Sequence, residues 1–216
     1  WDAGWIQIYA ENNQEAYDNY LQAMPIAEHP DVRLPIMVCQ DGFITSHSVE
    51  NIELLEDEAV KPFVGEYTPE HYLLKHENPL AVGPYGVSAY YMEAKMAQAQ
   101  AMVNAKQVIL DVGKRFAALT GRQYGLLERY RMEDAEEAIV LIGSSAGTAR
   151  VCVDVLRAQG RRVGMIKVRV YRPFPAEELA EALAHVQAVA VMDKCESFST
   201  HGGPLGSELR SALYDA

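Results

Sequence analysis

Three short stretches gather the residues with chemical potential. Residues 193–196 (Asp-Lys-Cys-Glu) and 201–205 (His-Gly-Gly-Pro-Leu) set Lys194, Cys195, Glu196 and His201 just past the last apolar run of the chain. A thiol near a histidine is the pair a covalent nucleophile needs, yet nothing in the spacing sets Cys195 against His201, and the alternative is structural or interface use. Residues 41–43 (Asp-Gly-Phe) and 46–48 (Ser-His-Ser) follow an earlier apolar run. There Asp41-Gly42 is a turn pair, and Ser46 and His47 either move protons or are held in place by loop hydrogen bonds. The third stretch is Gly143-Ser144-Ser145-Ala146-Gly147-Thr148, between an apolar run and an amphipathic one. Its backbone amides at a helix start can bind an anion, and its alternative is a tight turn with a Ser or Thr cap. It lacks a phosphate-loop lysine and the spacing GxGxxG. No HExxH occurs among the six histidines.

These stretches need elements to hold them. Residues 138–142 are an apolar run of strand length, and 148–159 place Val151, Val155 and Leu156 at helical spacing with Gly160 as the stop. Residues 163–170 are β-branched and apolar, and Pro173 and Pro175 forbid further central strand. A crossover of this length predicts a parallel pair joined right-handedly. Upstream, 5–9 and 34–39 read as strands, with a helix over 14–27 capped by Asn12 or Asn13 and made irregular by Pro25. With no further strand beside them, both runs are expected to present an open edge. Residues 43–49 read as loop. Residues 61–85 are a connector broken by Pro62, Pro69, Pro79 and Pro84, whose aromatics and leucines predict packing on something. A long helix over 89–119 carries an apolar stripe of Tyr91, Met92, Met96, Met102, Ile109, Val112 and Phe116, weakened by Gly113 and ended by Gly121. Residues 123–134 read as a linker. A helix over 176–185, a strand over 186–192 and a helix over 204–214 close the chain.

Composition narrows the classes. The chain has 216 residues and a formal net charge of -11. That balance argues against nucleic acid or an anionic membrane as partner, since phosphates require Lys and Arg. No run approaches the ~18 apolar residues of a membrane span, and no signal peptide is read at the start. The first residue is Trp1, which predicts a processed, truncated or partial chain. The three cysteines, Cys39, Cys152 and Cys195, are isolated with no CxxC, so the chain alone is not expected to ligate a cluster or zinc. Reduced thiols suit a cytoplasmic location.

Taken together, the segments WIQIYAEN, LPIMVCQDGFITSHSVE, VGPYG, IVLIGSSAGTARVCVDVLRAQGRRVGMIKVRVYRPFP and MDKCESFSTHGGPL resemble the α subunit of the 2-oxoacid:ferredoxin oxidoreductases, nearest to its pyruvate branch. The resemblance runs in order through essentially the whole chain. It implies an α/β fold: the end of a thiamine-diphosphate pyrimidine-type domain over 1–59, a connecting arm and long helix over 60–135, and a transketolase C-terminal-like (Rossmann-like) parallel-sheet domain over 136–216. The family's glutamate that activates the aminopyrimidine, its 2-oxoacid carboxylate residues, its cluster cysteines and its diphosphate and magnesium site match no segment here. The resemblance therefore implies thiamine diphosphate, Mg2+ and [4Fe-4S] clusters in the whole enzyme, with coenzyme A as co-substrate and none bound by this chain alone. Its implied partners are a thiamine-diphosphate β subunit, a γ subunit and a ferredoxin-like δ subunit, with ferredoxin as acceptor. The implied reaction is reversible oxidative decarboxylation of pyruvate, in which this chain packs and aligns the site. Alternatives are another 2-oxoacid, a subunit-docking module, a transketolase-type enzyme or a nucleotide-binding Rossmann domain.

Overall fold

The computed structural model describes residues 1–83, 85–198 and 201–214; Pro84, expected to break the connector, lies outside them, as do two residues of the 193–203 loop. Two sheets are present. The first has order β2-β1-β6 and the second β3-β5-β4-β7.

In the first sheet β1 (Ile6–Tyr9) runs parallel to β2 (Ile36–Cys39). Between them α1 (Asn13–Ala27) starts where the Asn12 side chain accepts the Glu15 amide at 2.9 Å, and it continues through Pro25 instead of fraying there. The expected loop over 43–49 contains one short helical turn, α2 (Ile44–His47). The start of the expected connector is also helical: α3 (Asp57–Val64) includes Pro62. Ile6, Ile8, Ile26, Leu34, Phe63 and Phe116 are among the buried residues of this core.

The long helix α4 (Ser88–Thr120) has 33 residues, about 50 Å at 1.5 Å each. Its second half carries the buried contacts: Ala105, Ile109, Val112 and Phe116 are buried on the first core, with Ala101 and Met102 partly buried against it. Tyr91, Met92 and Met96 of the expected stripe are exposed instead. Gly121 ends it in left-handed conformation (φ +75°), its amide bonded to the Ala117 carbonyl. Gly113 is no simple weakness. The Tyr124 carbonyl oxygen lies 2.5 Å from where a Cβ would sit, so the helix approaches the returning chain there without a side chain. Gly113→Ala is therefore expected to destabilise by about 1–3 kcal/mol despite its better helix propensity, read as a lower thermal unfolding midpoint.

The second sheet contains the predicted crossover. β4 (Glu137–Leu141), α5 (Ser145–Ala158) and β5 (Val163–Val168) make a parallel pair in register, Ile139 opposite Met165, and β7 (Ala188–Val191) adds to β4 in parallel. The alternation of strand side chains divides two cores. Val140, Ile166 and Val168 face α6 (Ala176–Leu183) and α7 (Pro204–Ala212), while Leu141, Val163 and Met165 pack with Ala146 and Val153 of α5. The expected linker over 123–134 holds a strand, β3 (Leu127–Tyr130), antiparallel to β5, so the sheet is mixed.

The expected single strand over 163–170 is two. β5 stops at Val168, the chain turns at Arg169, and β6 (Val170–Arg172) crosses to the first sheet, pairing antiparallel with β1 before Pro173. The Tyr9 amide bonds the Arg169 carbonyl at 2.8 Å. The halves are thus joined by backbone. β1 is the middle strand, and the open edge expected at both 5–9 and 34–39 remains only at β2. Among the described residues no helix is long and apolar enough to cross a membrane.

Candidate functional site

The carboxyl ends of β1, β2, β4 and β7 converge on a cavity of about 300 Å³, where parallel sheets place their ligands. Asp41, Gly143, Lys194 and Cys195, all singled out from the sequence, line it, and Ser144 adjoins through Lys194. Asp41 follows β2 and starts α2, its Oδ1 accepting the amides of Phe43 (3.2 Å) and Thr45 (3.0 Å). Its Oδ2 makes no hydrogen bond, and Lys194 Nζ stands 3.7 Å from it. Burial works to raise this carboxyl, but the neighbouring Ser144 hydroxyl, the two amides and the Lys194 charge bring it down to about 2. It is an acceptor at physiological pH, not a proton donor. Lys194 donates to Ser144 Oγ at 3.1 Å. Gly143 turns the chain at φ +72°, with the Ala10 carbonyl oxygen and Lys194 Nζ in ordinary contact range of an added Cβ.

The other candidates are placed elsewhere. Gly42 is exposed beside Asp41. Ser46 Oγ and His47 Nδ1 are 2.8 Å apart on α2, where the imidazole stacks on exposed Phe43 at 5.5 Å. Ser145 and Thr148 face an apolar groove of about 600 Å³ between α5 and the β7 edge. Gly147 lies near the Glu11 carboxylate. Glu196 and His201 are exposed in the loop before α7. In the cavity wall the Cys195 thiol points to Asp193 Oδ1 at 3.8 Å; burial and that negative charge push it up, the opposite of what an attacking thiolate needs. Burial likewise raises Cys39, and Tyr9 beside it is pushed up to about 12, chiefly by burial.

A second cluster was not read from the sequence. Glu15, Asp18, Asn19 and Gln22 form one stripe of α1 at helical spacing, polar yet buried. It faces cations from the second half of the chain. Lys167, 2% exposed, donates to Glu11 (2.7 Å) and Glu15 (2.6 Å) and pairs with Glu128 at 2.8 Å. Burial works to lower Lys167, but Glu15, Glu11 and Glu128 raise it; burial works to raise Glu11 and Glu128, but Arg150 and Lys167 hold both below the usual range. Arg169 bonds Asn19 Oδ1 (2.9 and 2.6 Å) and the Gly125 carbonyl (3.1 Å), and desolvation lowers it to about 10. Asp18 takes the Arg122 guanidinium (2.7 and 3.0 Å) and the Tyr124 hydroxyl (2.7 Å). The readable signal was the alternation Lys167-Val168-Arg169 inside an apolar strand, opposite a polar helical stripe.

Neither cluster fits a diphosphate with its magnesium. Glu11, Glu15 and Glu128 are the one carboxylate trio of metal-holding geometry among the described residues, and the Lys167 ammonium already sits among them. The strand-end cavity offers one ammonium and lies at the lower limit of ligand-site volumes. What it can do chemically is hold a small polar group.

Two mixed sheets that share a seam, with their parallel strands ending on one cavity, define an α/β protein with a candidate ligand site at its strand ends. Comparison with known proteins makes that particular. A model described as pyruvate flavodoxin/ferredoxin oxidoreductase, thiamine-diphosphate-binding, matches residues 1–114, and one described as pyruvate:ferredoxin oxidoreductase core domain II matches 135–216. The chain belongs to the pyruvate flavodoxin/ferredoxin oxidoreductase family. It is 48% identical to pyruvate synthase subunit PorA of Thermotoga maritima over 99% of its own length and 54% of that relative's. It is 44% identical to PorA of Methanocaldococcus jannaschii (98% and 55%) and 42% identical to ketoisovalerate oxidoreductase subunit VorA of Pyrococcus abyssi (99% and 54%). The chain thus spans about half the length of these relatives. A solved 2-oxoglutarate:ferredoxin oxidoreductase from Magnetococcus marinus shares the fold, with a TM-score of 0.54 at 14% identity, over 86% of this chain and 34% of that one.

Proposed function

We propose that this chain is part of the α subunit of a thiamine-diphosphate-dependent 2-oxoacid:ferredoxin oxidoreductase. The reaction is oxidative decarboxylation of pyruvate to acetyl-CoA and CO2, with electrons passed to ferredoxin, and it is reversible. The carrying observation is identity of 48% and 44% to two PorA subunits over nearly the whole chain. In this reading thiamine diphosphate, Mg2+ and [4Fe-4S] clusters are held mainly by β, γ and ferredoxin-like δ partners, in the cytoplasm. The cofactor performs the hard chemistry. This chain positions and covers: 1–59 ends one domain, 60–135 is arm and helix, and 136–216 is the second domain, with the packed half of α4 belonging to the first core. A branched 2-oxoacid is the second reading, favoured by the 42% identity to VorA.

The test compares the chain alone with the complex assembled from the complete subunit and its partners. Alone, it is expected to show no thiamine-diphosphate binding at micromolar cofactor and no oxidation of pyruvate. The complex is expected to reduce ferredoxin with pyruvate faster than with 2-ketoisovalerate. Pyruvate oxidation by the chain alone contradicts the proposal, and reversed preference selects the second reading.

A further inference from the structure

The strand-end cavity carries unsatisfied chemistry that the assignment above does not use. The Tyr171 hydroxyl, on a residue only 3% exposed that forms part of the cavity wall, has no hydrogen-bond partner. Asp41, which lines the same space, likewise has a buried Oδ2 that makes no hydrogen bond. Buried polar atoms are rarely left so, because each costs its desolvation without return. Desolvation also raises Tyr171, so its phenol is protonated and can donate. Lys194 completes the set, an ammonium half-engaged by Ser144 and 3.7 Å from Asp41, too far for a hydrogen bond. Between these groups the wall is apolar: Ile142, Met192 and Leu205, with the Tyr9 ring edge-on to Tyr171 at 6.2 Å.

Each group states a requirement. Ionised Asp41 can only accept, so the occupant must donate. Lys194 can only donate, so the occupant must also accept, close by. Asp193 is already engaged, its Oδ2 taken by the Leu205 amide at 2.7 Å, and Arg172 over the Tyr171 ring is paired with Glu208. A compact carboxylic acid with a donor on its α-carbon meets both needs, and the ionised Asp41 carboxylate favours an ammonium over a hydroxyl as that donor, since a charge-assisted bond is the stronger one. The apolar wall takes an aliphatic tail.

We propose that this cavity is a binding site for an α-amino acid with an aliphatic side chain. Its carboxylate meets Lys194 and the Tyr171 hydroxyl, and its ammonium meets Asp41. The site lies at the seam of the two sheets, so occupancy links them. This goes beyond the family assignment and does not depend on which 2-oxoacid is the substrate.

Calorimetric titration of the full chain with L-leucine, L-2-hydroxyisocaproate and 4-methylpentanoate separates the possibilities. Leucine is expected to saturate, the hydroxy acid to bind more weakly, and the acid without a donor to bind at least 10-fold more weakly than leucine, since it leaves Asp41 unpaired. Tyr171→Phe removes a hydroxyl that bonds nothing in the free protein, so its unfolding midpoint should not fall, while leucine affinity drops about 3–10-fold. Asp41→Asn keeps the Oδ1 acceptor for α2 and should cost leucine about 10-fold or more. Failure of leucine to saturate at ten millimolar in the assembled enzyme as well, equal binding of 4-methylpentanoate, or unchanged affinity in Tyr171→Phe each overturns the proposal.

Discussion

Lys167→Met is expected to lower stability by about 3–5 kcal/mol at pH 7, the loss typical when one partner of a buried ion pair is removed. The side chain is 2% exposed and touches Glu11, Glu15 and Glu128 within 2.8 Å. Methionine fills much of the volume, so the loss is chiefly of charge: Arg150 remains on Glu11 and Glu128, and Glu15 loses its cation. The pH dependence separates charge from packing. In the wild type Lys167 is raised, so its contribution is complete below its unfolded value near ~10.4 and is lost as pH rises through the higher folded one. Glu11 and Glu128 are lowered, so theirs is present above ~4.3 and is lost as pH falls through the lower folded values. In the variant the buried carboxylates are left short of positive charge and take up protons earlier on acidification. The gap between the two proteins should therefore be widest near neutrality and narrow below about pH 5. Denaturant unfolding at several pH values measures it, and a gap independent of pH would reduce Lys167 to a space-filler.

This network explains where reading the sequence stopped. The β4–α5–β5 crossover was legible because run lengths and Gly160 leave few other folds, and Asp41, Ser144 and Lys194 were legible because they directly follow apolar runs. Those signals are local. The stripe Glu15-Asp18-Asn19-Gln22 reads locally as a solvent face, and only cations some 100–150 residues later reverse that reading. β3 escaped because Leu-Glu-Arg-Tyr sets two adjacent charges between its apolar residues, with no period-2 pattern, and its partner lies across a crossover. β6 escaped because three residues before a proline leave no periodicity. Arg169 links both omissions: β3 and β6 become visible only once the chain is known to change sheets there. The packing role of Gly113 escaped in a related way, since helix propensity is local and the Tyr124 carbonyl is not. Position along one strand or helix could be inferred; complementarity between distant polar surfaces could not, because hydrophobic patterning counts polar residues as outside.

Asp18→Ala tests the other end of that stripe. Asp18 is fully buried and is the shared acceptor for the Arg122 guanidinium and the Tyr124 hydroxyl. Desolvation and the Asp18 carboxylate push the Tyr124 phenol well above its ordinary range, so that hydroxyl stays a donor and is stranded by the substitution. Arg122 keeps Glu53 at 2.7 Å and some solvent contact, which limits its share of the loss. The expected destabilisation is about 2–4 kcal/mol, combining a stranded donor, a weakened cation and a small cavity. It should not stay local. Tyr124 packs on Phe116 of α4, and its carbonyl is the one that excludes a side chain at Gly113. Loosening Tyr124 frees the packed half of α4, so hydrogen exchange should rise at residues 109–116 while β4 and β5 stay protected. Adding Tyr124→Phe removes the stranded hydroxyl and should recover part of the loss. A double variant no more stable than Asp18→Ala would show that Tyr124 does not depend on Asp18, and that α4 is held by its apolar contacts alone.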